Sequence, residues 1–299
     1  MKLRFSQAVQ GALLRKRPLV ALESSVIAQG LPRPQNLHAA MTCEAAVRAE
    51  GAEPATIAVI DGELCIGLEP EELHRLAKTD GLLKVGSRDL AVAVARRLTG
   101  GTTVSATCEL AAAAGIRVFA TGGLGGVHRE VATALDISQD LPALSRYPVA
   151  VVCAGAKSVL DLPKTMEALE TLGVPVIGVG THELPGFYTR ETGIRVEHQV
   201  GNAEEAAEVA RARVELGQGG LIFALPPPEA TALPRALIDK HLAAALREAK
   251  RQKIEGKAVT PFLLKTMAEK THGKTLIANL ALLENNARFA GALASAWGR

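Results

Sequence analysis

Aromatic residues are scarce in this chain of 299 residues, which contains six Phe, two Tyr and one Trp. A nucleic-acid platform that stacks bases on aromatic rings is therefore not indicated. The net charge of +3 is small, and the Lys and Arg residues are spread along the chain rather than clustered. An electrostatic surface for nucleic acid gains no support from this pattern, whereas a small anionic substrate is compatible with it.

Long hydrophobic runs and paired cysteines are also missing. No apolar run reaches the roughly 18 residues of a membrane-spanning helix, and the basic N-terminal segment lacks a long apolar stretch with a cleavage site. These absences predict a cytoplasmic protein without a membrane partner. Cys43, Cys65, Cys108 and Cys153 lie far apart in Ala-, Val-, Ile- and Leu-rich surroundings, which predicts buried reduced thiols rather than disulfides or metal ligands.

With so few aromatics, the core must be built from Ala, Val, Leu and Ile, which suits a parallel sheet covered by helices. Short β-branched runs alternate with Ala-, Leu- and Glu-rich stretches, so the chain is predicted to be α/β, with residues 1–299 in a single compact domain. The predicted strands are 19–22, 56–60, 63–66, 102–105, 117–120, 149–153, 176–180 and 220–224. The predicted helices are 34–51, 69–79, 89–97, 108–114, 160–172, 203–216, 234–252, 261–270 and 275–297.

Two further features refine this architecture. Asp61 and Gly62 between two short strands predict a hairpin, so the sheet is expected to be mixed but mostly parallel and flanked by helices. The consecutive helices after residue 234 are expected to form a C-terminal layer on the sheet or a subunit interface.

A first candidate site lies in ALESSVIAQGLPRPQN, residues 21–36, where Glu23 ends an apolar strand. Ligands of doubly wound sheets bind at the carboxyl ends of the strands. A partly desolvated carboxylate at that edge is suited to general acid catalysis. The alternative is that Glu23 only caps a turn or a helix.

A second candidate site is the glycine-rich stretch 119–141, in which four glycines follow a buried strand. Clustered backbone N–H groups with Thr121 and His128 are suited to a phosphate, although the spacing matches neither standard nucleotide-binding loop. Asp136 and Asp140 flank Ser138, a pattern that suits a hard divalent ion. The alternatives are a tight strand-to-loop turn and aspartates that cap helices.

A third candidate site is the stretch 151–170, where Lys157 follows a strand and Gly155 at the predicted start of a helix. An ammonium is unfavourable at a helix N-terminus, so this lysine is predicted either to reach solvent or to act as a neutral amine. A neutral amine is a nucleophile for carbonyl carbon. A surface lysine is the competing interpretation.

These stretches together resemble the pseudouridine-5′-phosphate glycosidase family, also called the indigoidine synthase A-like family. The resemblance runs nearly end to end, through the segments 21–36, 54–62, 119–129, 136–141, 151–161, 173–178, 259–264 and 278–287. It implies a compact α/β fold, a homotrimer and a manganese-dependent enzyme. The implied reaction reversibly cleaves the carbon–carbon glycosidic bond of pseudouridine 5′-phosphate to uracil and ribose 5-phosphate through a lysine Schiff base.

The family's residue roles fall on matching positions of this chain. The resemblance implies that Glu23 is the proton donor, that Lys157 bonds covalently to the sugar and that Asp136 is the metal ligand. The implied substrate-contacting residues are Lys84, Val104, Ser138, Gln139 and Asp140, with Thr121, His128 and Asn279 as further pocket residues. Lys84, Thr121 and His128 are expected to surround the phosphate.

The sequence departs from the family pattern at two places and leaves two other functions open. LPPPE begins at Leu225 where an Asn-Pro loop is common, and REVATAL follows His128 where small residues are common. Both departures bear on substrate preference more than on the type of reaction. The competing functions are another Schiff-base lyase or isomerase of sugar phosphates, and a non-catalytic nucleotide-binding module.

Overall fold

Short strands alternate with helices in the computed structural model, which describes residues 2–129, 135–254 and 259–298. The strands are β1 (Leu3–Phe5), β2 (Leu19–Leu22), β3 (Glu53–Ile60), β4 (Glu63–Ile66), β5 (Leu83–Val85), β6 (Gly100–Thr102), β7 (Val118–Ala120), β8 (Ala150–Cys153), β9 (Val176–Val179), β10 (His198–Val200) and β11 (Leu221–Ala224). The helices are α1 (Gln7–Leu14), α2 (Gln35–Ala49), α3 (Pro70–Lys78), α4 (Leu90–Ala95), α5 (Val104–Ala113), α6 (Asp140–Arg146), α7 (Leu162–Thr171), α8 (Ala203–Glu215), α9 (Arg235–Arg251), α10 (Val259–Lys270) and α11 (Lys274–Trp297).

The described strands form one mixed, mostly parallel sheet in the order β1-β4-β3-β2-β7-β8-β11-β9-β10, with β6 paired to β3 and β5 paired to β6. Only the pairs of β3 with β4 and with β6 are antiparallel among the strands that the structure describes. The predicted fold class is therefore confirmed. The hairpin at Asp61 and Gly62 is confirmed as well, because both residues have positive φ, 50° and 83°, as a tight turn between β3 and β4 requires.

Helices cover both faces of the sheet because residues along the central strands alternate between two cores. Leu22 and Ala120 point into a core formed with α2, α8, α9 and α11. Their neighbours Ala21 and Phe119 point into a second core formed with α4, α5, α6 and α7. Helix α11 packs against β2, β7 and β8, so the predicted C-terminal layer on the sheet is confirmed.

All four cysteines are buried and free, as the sequence predicts. Burial raises the pKa of Cys43 and of Cys153 to about 12, which leaves these thiols protonated and unreactive near neutral pH. Across the three described stretches, no helix combines the length and the apolar character that a bilayer crossing requires.

One predicted strand is wrong in three of its four residues. The predicted strand 102–105 ends at Thr102, and α5 begins at Val104, four residues before the predicted helix start. The N–H of Ser105 in the first turn of α5 donates to Asp140 Oδ1 at 2.9 Å. A carboxylate 35 residues away thus stabilises the helix start. The residues next to Val104 carry no sequence signal that predicts this start.

Candidate active site

Three neighbouring strands bring the three candidate sites to the same edge of the sheet. Strands β2, β7 and β8 are parallel, with Leu22 opposite Ala120 and Ala120 opposite Val152. Glu23, Thr121 and the turn that contains Lys157 therefore follow adjacent strands at their carboxyl ends. This edge is where α/β sheets bind ligands.

Glu23 is buried, with 7% of its surface exposed, and its two carboxylate oxygens have separate partners. The hydroxyl of Thr121 donates to Oε1, and the hydroxyl of Ser25 donates to Oε2 at 2.5 Å. A hydroxyl both donates and accepts, so these partners can accommodate the carboxylate or the protonated acid. Glu23 accepts from these two hydroxyls and from no helix N–H among the described residues, so the alternative that it caps a turn or a helix is not supported, and its role as an acid stays a prediction. The hydroxyl of Thr121 donates to Glu23 in this structure, and its expected contact with a phosphate stays a prediction.

The glycine-rich loop after β7 lies between the turn that contains Lys157 and the segment that contains Asp136. On one side Lys157 N donates to Leu124 O at 3.0 Å; on the other, Ser138 N donates to Gly126 O at 2.9 Å. Glycine is needed at position 125 because a Cβ there would lie 2.2 Å from Ser138 Oγ. The loop is thus hydrogen-bonded both to the turn that contains Lys157 and to the segment that contains Asp136. Its glycines lie close to protein side chains.

Lys157 lies in a turn, five residues before α7 begins at Leu162. The prediction that it sits at a helix N-terminus is wrong, because Asp161 caps α7 by accepting from Lys164 N at 3.1 Å. Lys157 therefore lies outside the first turn of α7, which is where a helix dipole affects a charge. Lys157 is partly buried and lines the pocket, whereas Lys164 is a surface lysine paired with Asp161 at 2.9 Å. The surface interpretation of Lys157 is not supported.

Asp136 and Asp140 have different surroundings. Asp140 accepts hydrogen bonds at both carboxylate oxygens, from Ser105 N and Gly125 N at 2.9 Å each. It serves as the long-range cap of α5, which is the alternative that the sequence left open. Asp136 is 40% exposed at its side chain, and its Oδ2 lies 3.7 Å from His128 Nδ1. Both aspartates line the same pocket, and Asp136 is the more exposed of the two.

The candidate residues meet in a pocket of about 590 Å³ and an adjoining cavity of about 50 Å³. The larger pocket is lined by the predicted residues Glu23, Lys84, Val104, His128, Asp136, Ser138, Gln139, Asp140 and Lys157. Asn279 of α11 lines the smaller cavity, which also contacts Glu23, Lys84 and Lys157. Thr121 lies behind Glu23, 2% exposed. The structure therefore brings every predicted site residue to one place, while the role of each stays a prediction.

The other residues that line this pocket include three polar ones that the sequence did not single out. Ser25 contacts Glu23, Arg88 contributes a cation that is 67% exposed at its side chain, and Thr260 of α10 borders both cavities. The second serine after Glu23 was a visible signal for Ser25. Arg88 lies in an unremarkable polar turn, so nothing in its local pattern distinguished it. Residues 130–134, within the REVATAL stretch where the sequence departs from the family pattern, lie outside the described residues.

A divalent ion in this pocket would have fewer than three His, Cys, Asp or Glu ligands among the described residues. Within residues 2–129, 135–254 and 259–298, no cluster of three or more His, Cys, Asp or Glu side chains is arranged around a metal position. Asp136 offers a partly exposed carboxylate at the rim, and hard ions such as Mn²⁺ or Mg²⁺ commonly take water as their remaining ligands. The donor set fits such an ion and not a structural zinc site.

The fold and the pocket define an α/β protein with a buried carboxylate and a lysine amine at the carboxyl ends of parallel strands. The chain belongs to the indigoidine synthase A-like family: the model described as indigoidine synthase A like protein matches residues 8–296. A protein from Myxococcus xanthus named pseudouridine-5′-phosphate glycosidase is 65% identical over 301 residues, with 100% of this chain and 99% of the relative covered. A protein of the same name from Caldanaerobacter subterraneus subsp. tengcongensis is 51% identical, with 97% and 94% covered.

Two solved structures are similar over nearly the whole chain. A crystal structure of the prealnumycin C-glycosynthase AlnA in complex with ribulose 5-phosphate has a TM-score of 0.91 at 39% identity, and covers 99% of this chain and 97% of AlnA. An indigoidine synthase A-like protein from Thermotoga maritima has a TM-score of 0.88 at 38% identity, with 95% and 94% covered.

Proposed function

We propose that this chain is a pseudouridine-5′-phosphate glycosidase, which reversibly cleaves the carbon–carbon bond between uracil and ribose 5-phosphate. The observation that carries the proposal is that Glu23 and Lys157, an acid–base group and a primary amine, line one pocket. Relatives named for this activity cover the whole chain at up to 65% identity. The ribulose 5-phosphate in the AlnA complex is a pentose phosphate, which supports a pocket for that class of ligand.

The chemistry requires an acid because uracil is joined to ribose C1′ through carbon. Protonation of a ring nitrogen does not release a carbon-linked base. Glu23 instead donates a proton to the ribose ring oxygen while the electrons of the uracil ring open the C1′–O bond. Burial of Glu23 and its two hydroxyl contacts hold this acid in place.

Lys157 then supplies the nucleophile. Its amine adds to C1′ of the opened sugar, and protonation of uracil C5 allows the C5–C1′ bond to break with its electron pair moving to the base. The sugar remains bound to Lys157 as an iminium. Water hydrolyses that iminium to free the amine and the open-chain aldehyde of ribose 5-phosphate. Cys153 is not a competing nucleophile because burial keeps its pKa at about 12.

The proposed activity is tested by incubating the protein with pseudouridine 5′-phosphate and Mn²⁺ and measuring uracil release. The reverse reaction, uracil with ribose 5-phosphate, should give an acid-stable product with the mass of pseudouridine 5′-phosphate. Turnover of simple pentose phosphates without turnover of the nucleotide would identify a different sugar-phosphate lyase or isomerase. Tight binding of the nucleotide without turnover would identify a binding module. The cytoplasmic location and the homotrimer stay predictions.

We expect the activity to depend on a divalent ion held by Asp136, which would orient water and the substrate phosphate. Exhaustive treatment with EDTA should abolish turnover, and Mn²⁺ should restore it. Asp136→Asn should raise the Mn²⁺ concentration needed for half-maximal activity, because the amide loses the carboxylate charge. Asp80→Asn is the control, since this aspartate is 92% exposed and pairs with Arg33. Full activity in the chelated protein would contradict the metal assignment.

The phosphate should be recognised by cations of the large pocket, among them Lys84. A hydrogen bond to a charged group contributes about 1.5 to 3 kcal/mol. Lys84→Ala should therefore lower kcat/KM for pseudouridine 5′-phosphate by about 10- to 100-fold more than for pseudouridine. The exposed Lys78 of α3 lies outside the pocket, so Lys78→Ala should leave both values unchanged. An equal loss on both substrates would place Lys84 away from the phosphate.

A further inference from the structure

Asn286 is a fully buried polar residue in the middle of α11, with 0% of its surface exposed. Its carboxamide Nδ2 donates to the backbone oxygen of Thr121 at 2.8 Å and lies 3.4 Å from that of Gly122. Residues 286 and 121 are 165 positions apart in sequence. Asn286 therefore links α11 directly to the end of β7, where the candidate site begins.

Packing alone does not explain an asparagine at this position. Its neighbours in the buried core include Leu282, Leu283 and Ala290, so the surroundings are apolar. Its Oδ1 is buried without a hydrogen-bond partner among the described residues. An unpartnered buried acceptor destabilises the folded state, whereas an apolar side chain of similar size would not carry that cost. The hydrogen bond from Nδ2 to the Thr121 carbonyl offsets part of the cost of burying the carboxamide.

Thr121 connects this contact to Glu23. Its N–H is fixed within the sheet by donating to Val152 O at 3.0 Å, and its hydroxyl donates to Glu23. Its carbonyl lies just beyond the last residue of β7 and before two glycines, where the backbone has little steric restriction. Asn286 fixes that carbonyl. A hydrogen-bonded chain thus runs from α11 through Thr121 to the carboxylate.

We infer that Asn286 is a positioning residue for Glu23 that acts through the backbone of Thr121. The inference rests on the proposed function, in which Glu23 donates the proton that opens the sugar ring. Loss of the carboxamide lets the turn after β7 move, so the Thr121 hydroxyl no longer holds Glu23 Oε1 in one orientation. The proton donor is then misaligned in the transition state, while His128 and Ser138 of the large pocket, whose hydrogen bonds do not involve Asn286, keep their positions.

Asn286→Leu approximately keeps the side-chain volume. It should lower kcat about tenfold and leave KM within about twofold of its original value. A tenfold loss is the order expected when one hydrogen bond that orients a reacting group is removed. Asn285→Leu is the matched control, because the adjacent Asn285 donates to Pro226 O at 3.3 Å and has no contact with the site. Its kcat should equal that of the unmodified protein. If Leu at position 286 prevents folding, Asn286→Ala, which adds no volume, carries the same test, with thermal unfolding confirming a folded chain.

A double-mutant cycle separates positioning from a general structural effect. Thr121→Val removes the hydroxyl that contacts Glu23, so Asn286→Leu should cause little further loss of kcat in that background. Additive losses, or an Asn286→Leu variant with unchanged kcat, would overturn the inference. Failure of the unmodified protein to release uracil would overturn the proposed function instead, so the two failures are distinguishable.

Discussion

Glu23→Gln is expected to abolish release of uracil from pseudouridine 5′-phosphate while the protein still binds this substrate. Glutamine has nearly the same shape, and the hydroxyls of Ser25 and Thr121 can turn to contact its amide. The amide cannot supply an acidic proton, and loss of a general acid typically costs about 100- to 10,000-fold in rate. Turnover is followed by uracil release, and binding by titration calorimetry.

Glu71→Gln is the matched control for this substitution, because Glu71 is exposed on α3 and lies outside both cavities of the site. It should retain full activity. A Glu23→Gln variant that keeps more than about a tenth of the original kcat would show that another group donates the proton.

Lys157→Ala is expected to lose turnover by on the order of 10⁴-fold or more, as losses of other covalent nucleophiles do. Substrate binding should persist, because the pocket retains Lys84, His128 and the segment around Ser138. Lys157→Arg keeps the positive charge but lacks a nucleophilic amine, so it should be equally inactive. Lys164→Ala is the control, since Lys164 is exposed and paired with Asp161. If Lys157→Arg were active, Lys157 would contribute only its positive charge and would not be the nucleophile.

The sequence was sufficient to predict the fold class and the strands that carry the site. Strands β2 and β4 have the predicted bounds, residues 19–22 and 63–66. The apolar run of β2 ends at Glu23, and that of β4 ends at Gly67. Strands β1, β5 and β10 were missed. Each has three residues, and β10 reads His-Gln-Val, so its pairing with β9 depends on the rest of the sheet and not on local propensity.

The candidate site was predictable as a set of residues but not as an arrangement. Its motifs lie at strand ends, and the parallel order of β2, β7 and β8 brings them together. The partners of Glu23 and Asp140 could not be predicted, since Thr121 is 98 positions from Glu23 and Ser105 is 35 positions from Asp140. The same holds for Lys157, whose turn is set by contacts with the glycine-rich loop.

In the proposed mechanism Lys157 forms a covalent iminium with C1′ of the sugar. Sodium borohydride added during turnover of pseudouridine 5′-phosphate should reduce this iminium and leave a stable ribose-phosphate mass on one peptide, the one that contains Lys157. Glu23→Gln should show no adduct, because the ring must open before the amine adds. A protein that turns over substrate but is never labelled by borohydride, or is labelled on a peptide that lacks Lys157, would contradict this mechanism.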